Sequence, residues 1–141
     1  MSEVITASAS IGAVPYTVTL GDGSHEWLGD EPLADGGADA GPSPKALLLS
    51  SLGACTAITL KMYAARKQWP LEGVQVQLAL NPDGVPPTGG NRIERRIELL
   101  GALDDEQRQR LLQIANACPV HKLLTGEIDI VSSLSTEGVQ S

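Results

Sequence analysis

The sequence is poor in aromatic and basic side chains, and both shortages narrow what the protein can bind. Its 141 residues include no Phe, two Trp and two Tyr. Platforms that stack nucleic-acid bases on aromatic rings are therefore not expected. Ten Lys and Arg stand against seventeen Asp and Glu, which gives a net charge of -7. Because an acidic chain repels phosphate backbones and anionic lipid, neither nucleic acid nor a membrane is expected as a partner.

The sequence also carries no sign of export. The segment Met1 to Ser10 contains Glu3 and has no basic stretch followed by an apolar one, so no signal peptide is predicted. The longest uncharged apolar run, Ala46 to Leu60, is too short to span a bilayer. A cytoplasmic location is expected, in which thiols are kept reduced.

Short strands are predicted in the N-terminal third. Apolar residues alternate with smaller or polar ones from Val14 to Leu20, which is the period of a half-buried strand. After a glycine turn, His25 to Leu28 forms a further short strand. The stretch from Gly29 to Pro42 is rich in Gly, Asp, Ala and Pro and is expected to be a surface loop of the kind that borders sites.

A long helix is the clearest element of the sequence. Ser43 can cap it and Pro44 suits its first position. The helical pattern continues to about Lys67, before Trp69-Pro70 stops it. Since its first two-thirds are apolar or small on every side, the helix is expected to be buried all round.

Two strands and a second helix follow. Strands are predicted over Val74–Leu80 and over Ile93–Leu99, where Arg95 interrupts the apolar face, and a Pro- and Gly-rich loop separates them. Asp104 with Gln107 three residues later is typical of a capping box that begins a helix.

The end of the chain completes the predicted element order. The second helix leads to Cys118, and Pro119 breaks or restarts it. Ile128 to Leu134 predicts a final strand, and the tail Ser135 to Ser141 is expected to be frayed. The order βββ-α-ββ-α-β indicates one α+β domain over residues 1–141 with mainly antiparallel pairing.

Two cysteines are the main candidates for chemistry. Cys55 and Cys118 are far apart in sequence, so no CxxC motif is present. Cys55 lies near the middle of the long helix, where it is either an inert core residue or a thiol that the small neighbours Gly53 and Ala54 leave open to a substrate. If the helix restarts at Pro119, the sulfur of Cys118 lies at a helix N-terminus, whose amides favour a thiolate; otherwise it only caps a kink.

A metal site is not expected. The spacing from Cys118 to His121 could supply half of one, but no second half is present in the sequence. No cofactor is predicted either. His121 is expected to contact solvent or to tune Cys118.

Two stretches of the sequence resemble the OsmC/Ohr family. The run GPSPKALLLSSLGACTAITLKMYAARKQWPLEGVQVQL, residues 41–78, is similar to the family's central helix with its first cysteine. The run DDEQRQRLLQIANACPVHKLLTGEIDI, residues 104–130, is similar to its second-cysteine helix and last strand. Both cysteines stand where the family has them.

The resemblance implies an OsmC-like fold, in which antiparallel sheets wrap around two long central helices of an intertwined homodimer. It implies a thiol-dependent hydroperoxide reductase that acts in oxidative or osmotic stress, with Cys55 as the peroxidatic residue and Cys118 as the resolving one. The implied substrate is an organic hydroperoxide. The implied reductant is a dithiol of the lipoyl or thioredoxin type.

The sequence departs from the family pattern at two positions. Studied members hold the thiolate with an Arg on an early strand and orient it with a Glu near the start of the central helix. Here the first arginine is Arg66, and Lys45 stands where that Glu would fall. Possible activating residues are His25, Lys45 and His121. The alternative function is a non-catalytic dimer that binds a small apolar or electrophilic molecule.

Overall fold

The computed structural model describes residues 4–135 as a mixed α+β fold with antiparallel sheets. In chain order its elements are β1 (Ser8–Ile11), β2 (Val18–Gly21), β3 (Glu26–Gly29), α1 (Pro44–Lys67), β4 (Gly73–Leu80), β5 (Ile93–Leu100), α2 (Asp105–Ala115) and α3 (Pro119–Thr125). A short 3-10 turn, Leu33–Asp35, lies in the loop before α1.

The first sheet pairs β1, β2 and β3 in that order, antiparallel throughout. The strand predicted from Val14 onwards is wrong in its first half, since β2 begins only at Val18. Pro15 has no N–H for a strand ladder, and Tyr16 has a φ of 73°, in the left-handed region. Residues 12–17 therefore turn the chain from β1 into β2.

Helix α1 begins and ends as the sequence predicts. The Ser43 hydroxyl accepts a hydrogen bond from the amide of Ala46 at 3.3 Å, and Pro44 occupies the first turn. The helix ends at Gln68, whose left-handed φ of 59° caps it. Gly53 allows α1 to approach β4, because a Cβ atom there would lie only 3.0 Å from Leu78 Cδ1.

The prediction that α1 is buried all round is wrong for the single chain. Its buried residues form one stripe at helical spacing, Leu52, Thr56, Leu60 and Ala64. Leu60 lies in the main core with Leu111 and Ala115 of α2. The opposite side remains exposed, with Ile58 and Met62 more than half accessible. Among the described residues, β4, α2 and α3 provide most of the cover of this helix, and they cover one side of it.

By length and composition alone, α1 also meets the criteria for a membrane-crossing helix. Core helices of soluble proteins meet the same criteria. Its buried stripe packs against α2 in a core that also contains Leu71 and Leu103. This packing is typical of the central helix of a soluble domain.

The second half of the fold is a hairpin followed by two helices. Strands β4 and β5 pair antiparallel along their whole length, from Gly73 opposite Leu100 to Leu80 opposite Ile93. The capping box is confirmed: Asp104 accepts from the amide of Gln107 at 2.7 Å, and the Gln107 side chain accepts from the amide of Asp104 at 3.0 Å.

The strand predicted over Ile128 to Leu134 is not formed in the single chain. Residues 127–135 have no regular secondary structure, and Ile130 and Leu134 are 82% and 96% exposed. A strand needs a neighbouring strand to satisfy its amides and carbonyls, and none lies beside this segment in the described residues. The predicted frayed tail, beyond Ser135, lies outside the described residues.

One buried carboxylate holds the loop that leads into α1. Asp30 is only 2% exposed, and its carboxylate accepts a hydrogen bond from the Thr17 hydroxyl at 2.7 Å. It also accepts from the amides of Glu31, Ala38 and Ala40. The bond from Thr17, supported by the three amides, holds the pKa of Asp30 below its ordinary value.

We expect this carboxylate to make stability depend on acid pH. Because its folded-state pKa is lowered, the stabilisation is present above the unfolded-state pKa and is lost as the pH falls through the folded-state value. Thermal unfolding of Asp30→Asn should begin several degrees lower than wild type at pH 7 and should lose part of the wild-type dependence below pH 4. Asp35→Asn, which removes an exposed carboxylate from the same loop, is the control. Equal midpoints for the two variants at pH 7 would contradict the role of Asp30.

Candidate active site

Two cysteine sulfurs meet the same helix end. The chain leaves helical geometry after Ala115 and restarts at Pro119, with Cys118 as the N-cap of α3. The Cys118 sulfur accepts from the amide of His121 at 3.4 Å, and the Cys55 sulfur accepts from the amide of Val120 at 3.4 Å. The predicted restart at Pro119 is confirmed. It makes the two sulfurs the acceptors of successive backbone amides in the first turn of α3.

The two thiols differ in accessibility. Cys118 is completely buried, whereas Cys55 is partly accessible. Each also lies beside a threonine: Thr59 Oγ1 is 3.9 Å from the Cys55 sulfur, and Thr56 Oγ1 is 4.0 Å from the Cys118 sulfur. A molecule from solvent therefore reaches Cys55 before it reaches Cys118.

An arginine that sequence reasoning missed joins this group of residues. Arg95 of β5 donates from Nη1 to Thr56 Oγ1 at 3.0 Å. Its Nη2 donates to Asn116 Oδ1 at 3.0 Å and lies 3.1 Å from His121 Nδ1. Thr56 Oγ1 donates its own hydrogen to the Leu52 carbonyl, so it accepts from Arg95. The guanidinium thus connects β5 to α1 and to both sides of the helix restart.

The charge of Arg95 is not neutralised by a carboxylate. Its three acceptors are all neutral groups, and in residues 4–135 it forms no ion pair. The sequence signal for it is the interruption of an apolar strand face: Arg95 occupies a position on β5 whose neighbours on the same face, Ile93 and Ile97, are partly buried apolar residues. A charge at such a position requires buried partners or a ligand.

The same contacts fix the state of His121. A guanidinium only donates, so Nδ1 of His121 must accept, and the ring is neutral with its proton on Nε2. Burial, and then the positive charge of Arg95, lower the pKa of His121 below its ordinary value. Its imidazole therefore does not supply a positive charge to the thiols near neutral pH.

The three predicted activating residues lie in different places. His25 is in the β2–β3 turn, 76% exposed, with Nδ1 2.9 Å from Asp22 Oδ2 and no described hydrogen bond to either cysteine. Lys45, in the first turn of α1, and His121 line one groove of about 800 Å³ together with Arg95. In the residues that the structure describes, no three His, Cys, Asp or Glu side chains cluster as metal ligands.

The family model for OsmC-like protein matches residues 36–133, which include α1 with Cys55 and the restart at Cys118. The chain belongs to the OsmC-like family. No curated protein matches its sequence. The fold of this OsmC-like chain is also that of solved structures with low sequence identity, and three of them illustrate the range.

An OsmC-like protein from Mycoplasma pneumoniae superposes with a TM-score of 0.75 at 21% identity, over 89% of this chain and 90% of that one. An organic hydroperoxide resistance protein OsmC from Legionella pneumophila gives 0.63 at 21% identity, over 90% and 93%. The organic hydroperoxide resistance protein OhrB of Bacillus subtilis gives 0.59 at 24% identity, over 90% and 94%. At these identities the likeness establishes the fold.

We expect nitrogen NMR of the OsmC-like chain to detect the effect of Arg95 on His121. In wild type, long-range proton–nitrogen spectra should show His121 with a protonated Nε2, and titration should give a pKa below 6.5. Arg95→Gln should raise that pKa but not restore it fully, because burial acts first and remains. A protonated Nδ1 in the wild-type protein would contradict the hydrogen bond from Arg95.

Proposed function

We propose that this OsmC-like protein is a cytoplasmic, thiol-dependent reductase of organic hydroperoxides, with Cys55 as the peroxidatic and Cys118 as the resolving residue. The observation that supports it best is the pair of sulfurs on the amides of Val120 and His121, one accessible and one buried. The accessible sulfur can react with a hydroperoxide, and the buried one can then react with the oxidised product. Structural neighbours named as organic hydroperoxide resistance proteins support the same assignment.

The proposed cycle balances as follows. The Cys55 thiolate attacks the terminal oxygen of ROOH; the O–O bond breaks, Cys55 becomes a sulfenic acid, and the alkoxide takes a proton to leave as ROH. The Cys118 thiol condenses with the sulfenic acid, which forms the disulfide and releases water. A dithiol of the lipoyl or thioredoxin type reduces the disulfide by exchange and is itself oxidised.

Each half of the site has a role in this cycle. Partial exposure of Cys55 admits the hydroperoxide, while the amide of Val120 supports negative charge on its sulfur. Burial of Cys118 keeps it from reacting with peroxide directly. The arginine of studied relatives is missing from the early strands, and Arg95 contributes to the site by bonding Thr56, whose hydroxyl lies 4.0 Å from the Cys118 sulfur.

The test is peroxide consumption with cumene hydroperoxide and either dihydrolipoamide or reduced thioredoxin. Wild type should turn over; Cys55→Ser should lose at least about 99% of the rate, since the nucleophile is removed. Cys118→Ser should lose turnover but still form a sulfenic acid at Cys55 that a dimedone probe traps. Peptide mapping of oxidised wild type should find one intrachain Cys55–Cys118 disulfide. Unreacted thiols after excess peroxide would refute the proposal.

We further propose that the working form is a homodimer. One side of α1 is exposed, with Ile58 and Met62 more than half accessible, and no strand of residues 4–135 pairs with the segment Ile128–Leu134, whose apolar side chains are exposed. A second copy that pairs with this segment and covers α1 would bury both surfaces, and closed two-fold pairing is the commonest way to do so.

The dimer is expected to be obligate. Light scattering at micromolar concentration should give twice the 14.7 kDa chain mass. Met62→Lys, which places a charge on the exposed side of α1, should shift the protein towards monomer and lower its thermal midpoint. Gln109→Lys, which adds the same charge at an exposed position of α2, is the control. A stable folded monomer in wild type would exclude the proposed assembly.

A further inference from the structure

The groove that contains Arg95 has a composition unlike the rest of the protein. About 800 Å³ in volume, it is bordered by the start of α1, by β5 and by α3. In a chain with seventeen acidic residues, none lines it, whereas Lys45, Arg95 and the neutral His121 do. Its remaining walls are mainly Leu, Ile and Val side chains. Neither cysteine borders it.

The two cations of this groove, which we call the Arg95 groove, lack carboxylate partners. Lys45 and Arg95 form no ion pair with any described residue. Arg95 directs three of its N–H groups at Thr56, Asn116 and His121, and two N–H groups remain available. Because the three acceptors hold the guanidinium in one orientation, little side-chain entropy is lost when a further acceptor binds.

We propose that the Arg95 groove binds a small amphipathic carboxylate, with the carboxylate on Arg95, the hydrocarbon chain along the apolar walls, and Lys45 adding positive charge from the start of α1. The volume is within the range of small-molecule pockets, about 300–1,000 Å³. A partly buried guanidinium without a carboxylate partner is stabilised when an anion joins it. The guanidinium of Arg95, held in one orientation, can donate charge-assisted hydrogen bonds to a carboxylate. The apolar walls disfavour a fully hydrated inorganic ion.

Binding in this groove does not require the redox reaction at the cysteines. The ligand touches neither sulfur, and its binding requires only a folded chain with Arg95 and Lys45 in place. Arg95 has no described contact with either sulfur; it bonds Thr56, whose hydroxyl lies 4.0 Å from the Cys118 sulfur, and His121, whose amide donates to that sulfur. The protein with both cysteines replaced by serine is therefore expected to bind the carboxylate as wild type does.

The test is titration calorimetry of the full chain with octanoate, and with 1-octanol and octylammonium as ligands of the same chain length. Octanoate should bind at one site per chain, at least about tenfold more tightly than either analogue, since only its carboxylate accepts charge-assisted hydrogen bonds from Arg95. Added salt should weaken octanoate alone. Equal affinity for all three would mean an unspecific apolar surface and would overturn the proposal.

Matched variants locate the site. Arg95→Gln should weaken octanoate at least about tenfold, whereas Arg96→Gln, the next residue on the exposed face of β5, should not. Should Arg95→Gln fail to fold, Lys45→Gln gives a second test, because Lys45 is exposed in the first turn of α1. Lys45→Gln should weaken octanoate binding several-fold, whereas Lys122→Gln should leave it unchanged. The serine double variant should bind octanoate normally even if wild type shows no peroxidase activity. No octanoate binding to wild type, as when a second copy fills the groove, would refute the proposal.

Discussion

The restart of the helix at Pro119 is the constraint on which the site depends. A continuous helix through Cys118 would use the amides of residues 120 and 121 in its own ladder. The break frees them, since the first amides of any helix lack intrahelical acceptors. The sulfurs of Cys55 and Cys118 then occupy those amides at 3.4 Å each. One backbone irregularity therefore brings together two side chains 63 residues apart in sequence.

Arg95 holds the surroundings of that break in place. Its guanidinium bonds Thr56 on α1, Asn116 before the break and His121 after it. These acceptors carry no charge, so the arrangement positions three elements without neutralising the cation. A carboxylate partner would have satisfied Arg95 internally. With neutral partners only, the positive charge stays available to anions that approach the groove.

Local signals in the sequence predicted local structure well. The predictions failed where the structure depends on residues distant in sequence or on a surface outside the single chain. Caps at Ser43 and Asp104 and the break at Pro119 follow from side chains within a few residues, and all three are confirmed. The role of Arg95 was not predicted, because its acceptors lie 21 to 39 residues away in sequence. The alternation around Tyr16 indicated a strand. Pro15, which has no N–H, and the left-handed φ of Tyr16 prevent one there despite the apolar pattern.

The two wrong predictions about burial have a common physical cause. A helix that is apolar on every side was expected to be buried, and an alternating segment at Ile128 was expected to pair as a strand. In the single chain the helix is buried on one side only, and the segment is exposed. In both cases the periodicity correctly identifies apolar side chains that favour burial. It does not indicate whether the same chain or a second copy buries them. Within the described residues, the exposed side of α1 lacks a covering layer, and the apolar segment at Ile128 lacks a neighbouring strand. Burial against a second copy, as in the proposed homodimer, would meet both at once.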